Sequence, residues 1–305
     1  MPFSDQYHKQ VSLLVRVLPF VAQEECFALK GGTAINLFIR NLPRLSVDID
    51  LTYLPVQSRE ESLAAIDTAM KRIAESAGSG SPAEDIAPGA PNAEGTVTKL
   101  LARGDGVQIK IEVTPVLRGC VFEPETRTVS PAVEDNFGFA EMQLVSFADL
   151  YGGKIVAALD RQHPRDLFDV RNLLHNEGVT DDLRRAFIVY LLSHDRPMHE
   201  VIGPTRKDIS QEYERGFEGM TEEPVPLEEL VAAREAIITT IISGMPDDHR
   251  RFLLSFERGE PEWGLLGLEH VAELPAIRWR QLNLDKLEAS ARSKLVDSLE
   301  QKLNS

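Results

Sequence analysis

Two short stretches, Lys30-Gly31-Gly32-Thr33 and Ser46-Val47-Asp48-Ile49-Asp50-Leu51, decide how this chain is read. The first is a two-glycine turn opening a helix-like segment. The second is an apolar, partly β-branched run carrying two carboxylates spaced i, i+2. Side chains alternate faces along a strand, so Asp48 and Asp50 project together while Val47, Ile49 and Leu51 face a core. Carboxylates held side by side repel each other unless a cation lies between them. A hard divalent ion such as Mg²⁺ takes oxygen ligands and completes its shell with substrate phosphates. The glycines allow close approach of backbone to a ligand, and the free N–H groups of a helix start favour an anion. An acidic, solvated edge strand would account for the alternation but not for the glycines.

Further along, Gln108-Ile109-Lys110-Ile111-Glu112-Val113 alternates again, with Lys110 and Glu112 opposite the apolar side. The apolar helix pattern after Ser146 contains Gly152-Gly153, which costs roughly 1 kcal/mol per glycine relative to alanine. Such a cost implies that another backbone or a ligand packs closely there. Lys154 follows directly, and lysine is a compact point charge suited to phosphate. Asp166 and Asp169 share one helix face, with Arg161 and Arg165 close in sequence.

Taken together, Lys30-Gly31-Gly32-Thr33-Ala34, Arg44-x-Ser46-x-Asp48-Ile49-Asp50-Leu51, Lys154 with Asp160-Arg161, and Pro164-Arg165-Asp166-Leu167-Phe168-Asp169 resemble the AbiEii/AbiGii (MenT-like) toxin family. That family lies within the nucleotidyltransferase superfamily typified by DNA polymerase beta. The resemblance runs in order over roughly residues 5–290. It implies a Mg²⁺-dependent enzyme that transfers an NMP from an NTP to an acceptor, the tRNA 3′ end foremost, within a toxin–antitoxin or abortive-infection system. Asp48, Asp50 and Glu112 are then the expected metal ligands, with Glu112 as third carboxylate or general base. Gly31, Gly32, Thr33, Lys154 and Arg165 are the expected nucleotide contacts, and Asp166 holds Lys154, an arginine or the nucleotide. A cognate antitoxin encoded nearby is the expected partner. Transfer to a protein hydroxyl or an aminoglycoside-like small molecule uses the same site. A non-catalytic nucleotide-binding module is the remaining alternative, against which the intact Asp48, Asp50, Lys154 and Asp166 stand.

Composition narrows the setting. A net charge of −15 counts against a protein that coats nucleic acid, but leaves room for a local basic groove. Arg161, Arg165 and Arg171, with Lys154, form one candidate; Arg278, Arg280 and Lys286 form another. Trp263 and Trp279 are expected as buried aromatic anchors rather than platforms for RNA bases. No apolar stretch approaches the roughly 20 residues that span a membrane, and no signal peptide pattern opens the chain. Cys26 and Cys120 therefore read as reduced thiols in a cytoplasm, Cys26 buried. The seven histidines show no metal-ligand spacing, and His163 reads as a loop residue.

The pattern predicts an α+β fold: a nucleotidyltransferase-type mixed-sheet core over residues 1–145, then a helical domain over 146–305 that completes the active site. Helices are expected at 6–22 (with Pro19 kinking or ending it), 33–41, 58–77, 146–159, 164–175, 180–193, 226–242, 247–257 and 285–304. Strands are expected at 46–53, 96–102, 107–115 and 138–145, and a flexible loop at 78–92. Ser58 with Glu61 forms a capping-box pattern.

Overall fold

The computed structural model describes residues 5–76, 83 and 85–304. The chain divides into two compact units: Met1–Ser146 with Glu218–Pro224, and Phe147–Phe217 with Val225–Ser305.

The first unit carries α1 (Asp5–Val21), β1 (Phe27–Lys30), a single α-turn α2 (Gly31–Ala34) that passes into a π-helical turn at Ile35–Ile39, β2 (Asp48–Tyr53), α3 (Arg59–Glu75), β3 (Asp85–Pro88), β4 (Lys99–Gly104), β5 (Val107–Arg118), β6 (Glu125–Thr128), α4 (Pro131–Phe137) and β7 (Glu141–Leu144). The seven strands form one mixed sheet in the order β3-β4-β5-β2-β1-β7-β6. β2 runs parallel to β5 and antiparallel to β1, while β7 runs parallel to β1. The β4–β5 hairpin closes through Asp105 and Gly106, both at positive φ (52° and 75°), as a two-residue mirror-image turn requires.

Periodicity explains the core. Ile49 and Leu51 of β2 and Ile109, Ile111 and Val113 of β5 are buried, whereas Asp48, Asp50, Lys110 and Glu112 occupy the alternate positions and are partly exposed. Burying one such aliphatic side chain contributes about 1.5–3 kcal/mol. In α1, Val11, Leu14, Val15 and Leu18 are buried at helical spacing. That helix continues through Pro19 to Val21, because a proline in the last turn forfeits only one backbone bond. Ser58 and Glu61 form the reciprocal cap of α3, each side chain accepting the other's backbone N–H at 3.2 Å.

Some elements depart from the sequence expectation. β3 lies inside the expected loop 78–92; a single buried residue, Ile86, signals it, and its ladder to β4 supplies the rest. Residues 77–82 and 84, at the end of the expected helix and in that loop, lie outside the described residues. The expected helix 33–41 is instead the α-turn and π-turn, in which Arg40 N–H reaches back to the Ile35 carbonyl at 2.8 Å. β1 and β6, of four residues each, and α4 are too short for periodicity to reveal.

The second unit is helical: α5 (Phe147–Arg161), α6 (Pro164–Asn176), α7 (Asp181–Leu192), α8 (Met198–Ile202), α9 (Ser210–Gly216), α10 (Leu227–Ile242), α11 (Asp247–Glu257), two 3₁₀ turns, α12 (Pro275–Asp285) and α13 (Ala289–Leu303). The expected 285–304 helix starts later, at Ala289, and α12 precedes it. α5 and α7 approach closely at Gly152, where a Cβ would stand 2.8 Å from Phe187 N and 2.9 Å from Ala186 C. A neighbouring backbone, not a ligand, accounts for that glycine. Trp263 packs on Phe252 and Phe256, with ring centroids 5.1 and 6.0 Å away. Trp279, expected to be buried, is 59 % exposed with Lys286 Nζ 5.6 Å from its ring centre, because α12 turns its other face inward through Ala276, Ile277 and Leu284.

Candidate active site

The sheet register assembles the acidic site. Asp50 of β2 pairs with Lys30 of β1 on one side and Glu112 of β5 on the other, and Asp48 pairs with Lys110. Register partners share a face, so three carboxylates and two lysines stand together. Lys110 Nζ lies 2.7 Å from Glu112 Oε2. Lys30 Nζ donates to Thr114 Oγ1 at 3.1 Å.

The two-glycine turn sits directly under this row. Gly31 has φ +76°, and a Cβ on it would stand 2.8 Å from Asp50 Oδ2, so only glycine fits on both counts. A Cβ on Gly32 would stand 2.8 Å from Arg44 Nη2 and 3.0 Å from Ser46 Oγ. The Thr33 hydroxyl is buried and directed at the backbone: it hydrogen-bonds the Asp48 carbonyl and, at 3.0 Å, Ser46 Oγ. Its observed contact therefore ties the helix start to the strand that carries Asp48. Arg44 is buried as well and donates to the Leu45 carbonyl at 2.9 Å.

Electrostatics follow from burial and crowding. Burial, with Asp48 and Glu112 nearby, holds the Asp50 carboxyl above its ordinary range, against the pull of Lys30 and Lys110. Burial pushes the Lys30 ammonium down, opposed by Asp50 and Glu112. Partial burial also acts to lower Lys110, but the Glu112 hydrogen bond and the three carboxylates carry it upward overall. Among the described residues, no three His, Cys, Asp or Glu side chains converge as a ready-made metal cage. The donor chemistry nevertheless fits a hard divalent cation held by two carboxylates, with Asp48 and Asp50 together on one face of β2 and Glu112 turned to Lys110.

The second unit holds Lys154, Arg165 and Asp166. Lys154 is buried, its Nζ 2.8 Å from Asp166 Oδ1 and 3.1 Å from Asp169 Oδ2, and Arg161 adds a 2.8 Å contact to Asp166 Oδ2. Tyr190 donates to buried Asp149 at 3.1 Å. His163 caps α6, its Nδ1 accepting the Arg165 N–H at 3.1 Å. Much of the expected basic surface is committed to partners: Arg171 to Glu229 at 2.6 Å, Arg278 to Glu273 at 3.4 Å, and Arg280 to the His194 and Arg196 carbonyls at 3.4 Å. Cys26 and Cys120 are not joined in a disulfide and are partly exposed, and burial pushes the Cys26 thiol up to about 11.

Sequence reading undervalued Lys30. It ends Phe27-Ala28-Leu29-Lys30, a four-residue strand buried up to Leu29, and the β1–β2 register sets it beside Asp50.

A mixed sheet whose Asp-x-Asp strand runs beside a two-glycine helix start defines a nucleotidyltransferase-type protein. The comparisons make this particular: the profile of the family described as nucleotidyl transferase AbiEii toxin, type IV TA system, matches residues 12–280, and the chain belongs to that family. It is thus a nucleotidyltransferase, the toxin of a type IV toxin–antitoxin system, acting on an NTP and counterbalanced by an antitoxin. Among solved structures, the fold is similar to MenT4, a nucleotidyltransferase toxin from Mycobacterium tuberculosis H37Rv. The TM-score is 0.61 at 14% identity, covering 91% of this chain and 93% of that one. Comparison with curated proteins gives no match. No helix among the described residues is long and apolar enough to cross a membrane.

Proposed function

We propose that this toxin transfers an NMP from an NTP to the 3′ end of tRNA in the cytoplasm, with Mg²⁺ held by Asp48 and Asp50. The observation that carries the reading is the seating of Asp50 against Gly31, with Asp48 on the same face of the strand. Mg²⁺ bound there supplies charge neutralisation of the triphosphate and a lower pKa for the acceptor hydroxyl. The Gly31–Gly32 backbone receives the phosphates, and Thr33 fixes Asp48 through its carbonyl. Glu112, released from Lys110, accepts the acceptor's proton. Lys154 and Arg165 contribute positive charge toward the nucleotide, and Asp166 orients Lys154. The arrangement stabilises charge rather than forming a covalent intermediate on the protein.

The test is incubation with each labelled NTP, with and without total tRNA, at several Mg²⁺ concentrations. Label on the tRNA 3′ end, lost in chelator and in Asp48→Asn, is the expected result. Label on protein or on a small cationic acceptor replaces the tRNA assignment. No label with any NTP removes the reading. For the partner, co-expression of the neighbouring gene should restore growth to cells arrested by the wild-type toxin.

A further inference from the structure

Three carboxylates, Asp48, Asp50 and Glu112, share one face of adjacent strands β2 and β5. Lys110 is hydrogen-bonded to Glu112. Lys30 is different: it lies on β1, opposite Asp50 in the register, and makes no ion pair within 4.0 Å among the described residues. Among the described residues, its ammonium's one hydrogen bond runs to Thr114 Oγ1 at 3.1 Å, two residues past Glu112 on the same face of β5. The ammonium thus reaches across the sheet from β1 to β5, passing the row in which Asp50 and Glu112 stand. A half-buried ammonium beside this acidic row loses part of its hydration, a cost that the nearby negative charge offsets.

We propose that Lys30 is a positioning residue whose ammonium stands in for the divalent cation in the metal-free protein, keeping Asp50 and Glu112 assembled on neighbouring strands. The inference rests on the reading of Asp48 and Asp50 as the metal anchor. It assigns to β1 a task separate from nucleotide binding: it keeps the acidic row intact between metal-bound states. Lys30 and the cation act on the same carboxylates, so each should matter most when the other is missing.

The experiment is thermal unfolding of the full chain in EDTA and in Mg²⁺, for wild type, Lys30→Met, Asp50→Asn and the double variant. In EDTA, Lys30→Met should lower Tm by roughly 5 °C, the scale of one lost charge-assisted contact. Mg²⁺ should recover most of that loss, so its stabilising shift is larger in Lys30→Met than in wild type. In EDTA the double variant should lie well above the sum of the two single effects, because the uncompensated carboxylate is gone. A deficit in Lys30→Met that is unchanged by Mg²⁺ and by Asp50→Asn would mean that Lys30 only packs, and overturns the proposal. So does a Lys30→Met protein as stable as wild type in EDTA. If Lys30→Met alone fails to fold, a folded double variant supports the proposal and an unfolded one overturns it. A wild type whose Tm ignores Mg²⁺ overturns the metal anchor and the stand-in with it. A wild-type Mg²⁺ shift without coupling between Lys30 and Asp50 overturns the stand-in alone.

Discussion

Lys154 Nζ lies 2.8 Å from Asp166 Oδ1, and both side chains are buried in the helical unit. Asp169, also buried, approaches the same ammonium at 3.1 Å. Lys154 is therefore the hub of an internal ion cluster, whatever it also does for the nucleotide.

Removing that hub takes the ammonium from two buried carboxylates, Asp169 and Asp166, the latter still held by Arg161. Lys154→Met should cost about 3–5 kcal/mol of stability, the usual penalty for breaking one side of a buried pair. Chemical denaturation of the variant measures it. Adding Asp166→Asn and Asp169→Asn should restore part of the loss. A variant as stable as wild type would mean that the cluster is dispensable to the fold.

Asp48 is partly exposed on its strand, with backbone, not side chain, tied to Thr33. Asp48→Asn should therefore leave stability within about 0.5 kcal/mol of wild type. Nucleotidyl transfer should fall by roughly a hundredfold or more. Parallel unfolding and label-transfer assays check both halves; retained transfer removes Asp48 from the metal site.

Glu257 is fully buried at the end of α11, and neither carboxyl oxygen has a hydrogen-bond partner among the described residues. Burial holds its pKa above the ordinary 4.5, with Arg280 opposing. A raised folded-state pKa means that the folded protein binds the proton more tightly than the unfolded chain. Its contribution is thus complete below 4.5 and is lost as pH rises through the folded value. Wild type should lose stability as pH climbs from about 4.5, and Glu257→Gln should flatten that decline. Tm measured across the acid-to-neutral range in both proteins decides it; parallel curves would place the pH dependence elsewhere.

Gly152 and Gly153 are adjacent but unequal. A methyl on Gly152 would meet Phe187 N at 2.8 Å, whereas one on Gly153 would meet only the Tyr190 ring at 3.5 Å. Gly152→Ala should destabilise by about 1–3 kcal/mol through overpacking of α5 on α7. Gly153→Ala should be neutral or slightly stabilising, since alanine restores helix propensity. Equal effects in denaturation would show that the two helices adjust around either methyl.

Where physics acts locally, the chain was readable. Asp48 and Asp50 fall on the side opposite Ile49 and Leu51 because strand alternation is strict, and Ser58 with Glu61 caps α3 because the two bonds close within four residues. The β4–β5 turn is local in the same sense, closing through Asp105 and Gly106 at positive φ. The rest depends on distant partners. Thr33 was read as a nucleotide contact, and its bond to the Asp48 carbonyl exists only once α2 docks on β2. Lys154 was read as a phosphate ligand, and its burial between Asp166 and Asp169 needs α5 to lie against α6. Trp279 was read as an anchor, since an aromatic among apolar residues does not announce which helix face will meet solvent.

The sheet-bearing unit takes back a late piece of chain, Glu218–Pro224. Met220 there accepts the Leu45 N–H at 3.1 Å, and Thr221 bridges to Arg44, the buried arginine beside Gly32. During synthesis the segment around Arg44 therefore waits for residues made much later. A ribosome that stops, or a protease that cuts, before position 218 releases a fragment whose glycine turn lacks its outer support. For a protein toxic to the cell that makes it, this order of assembly keeps interrupted products from being finished enzymes.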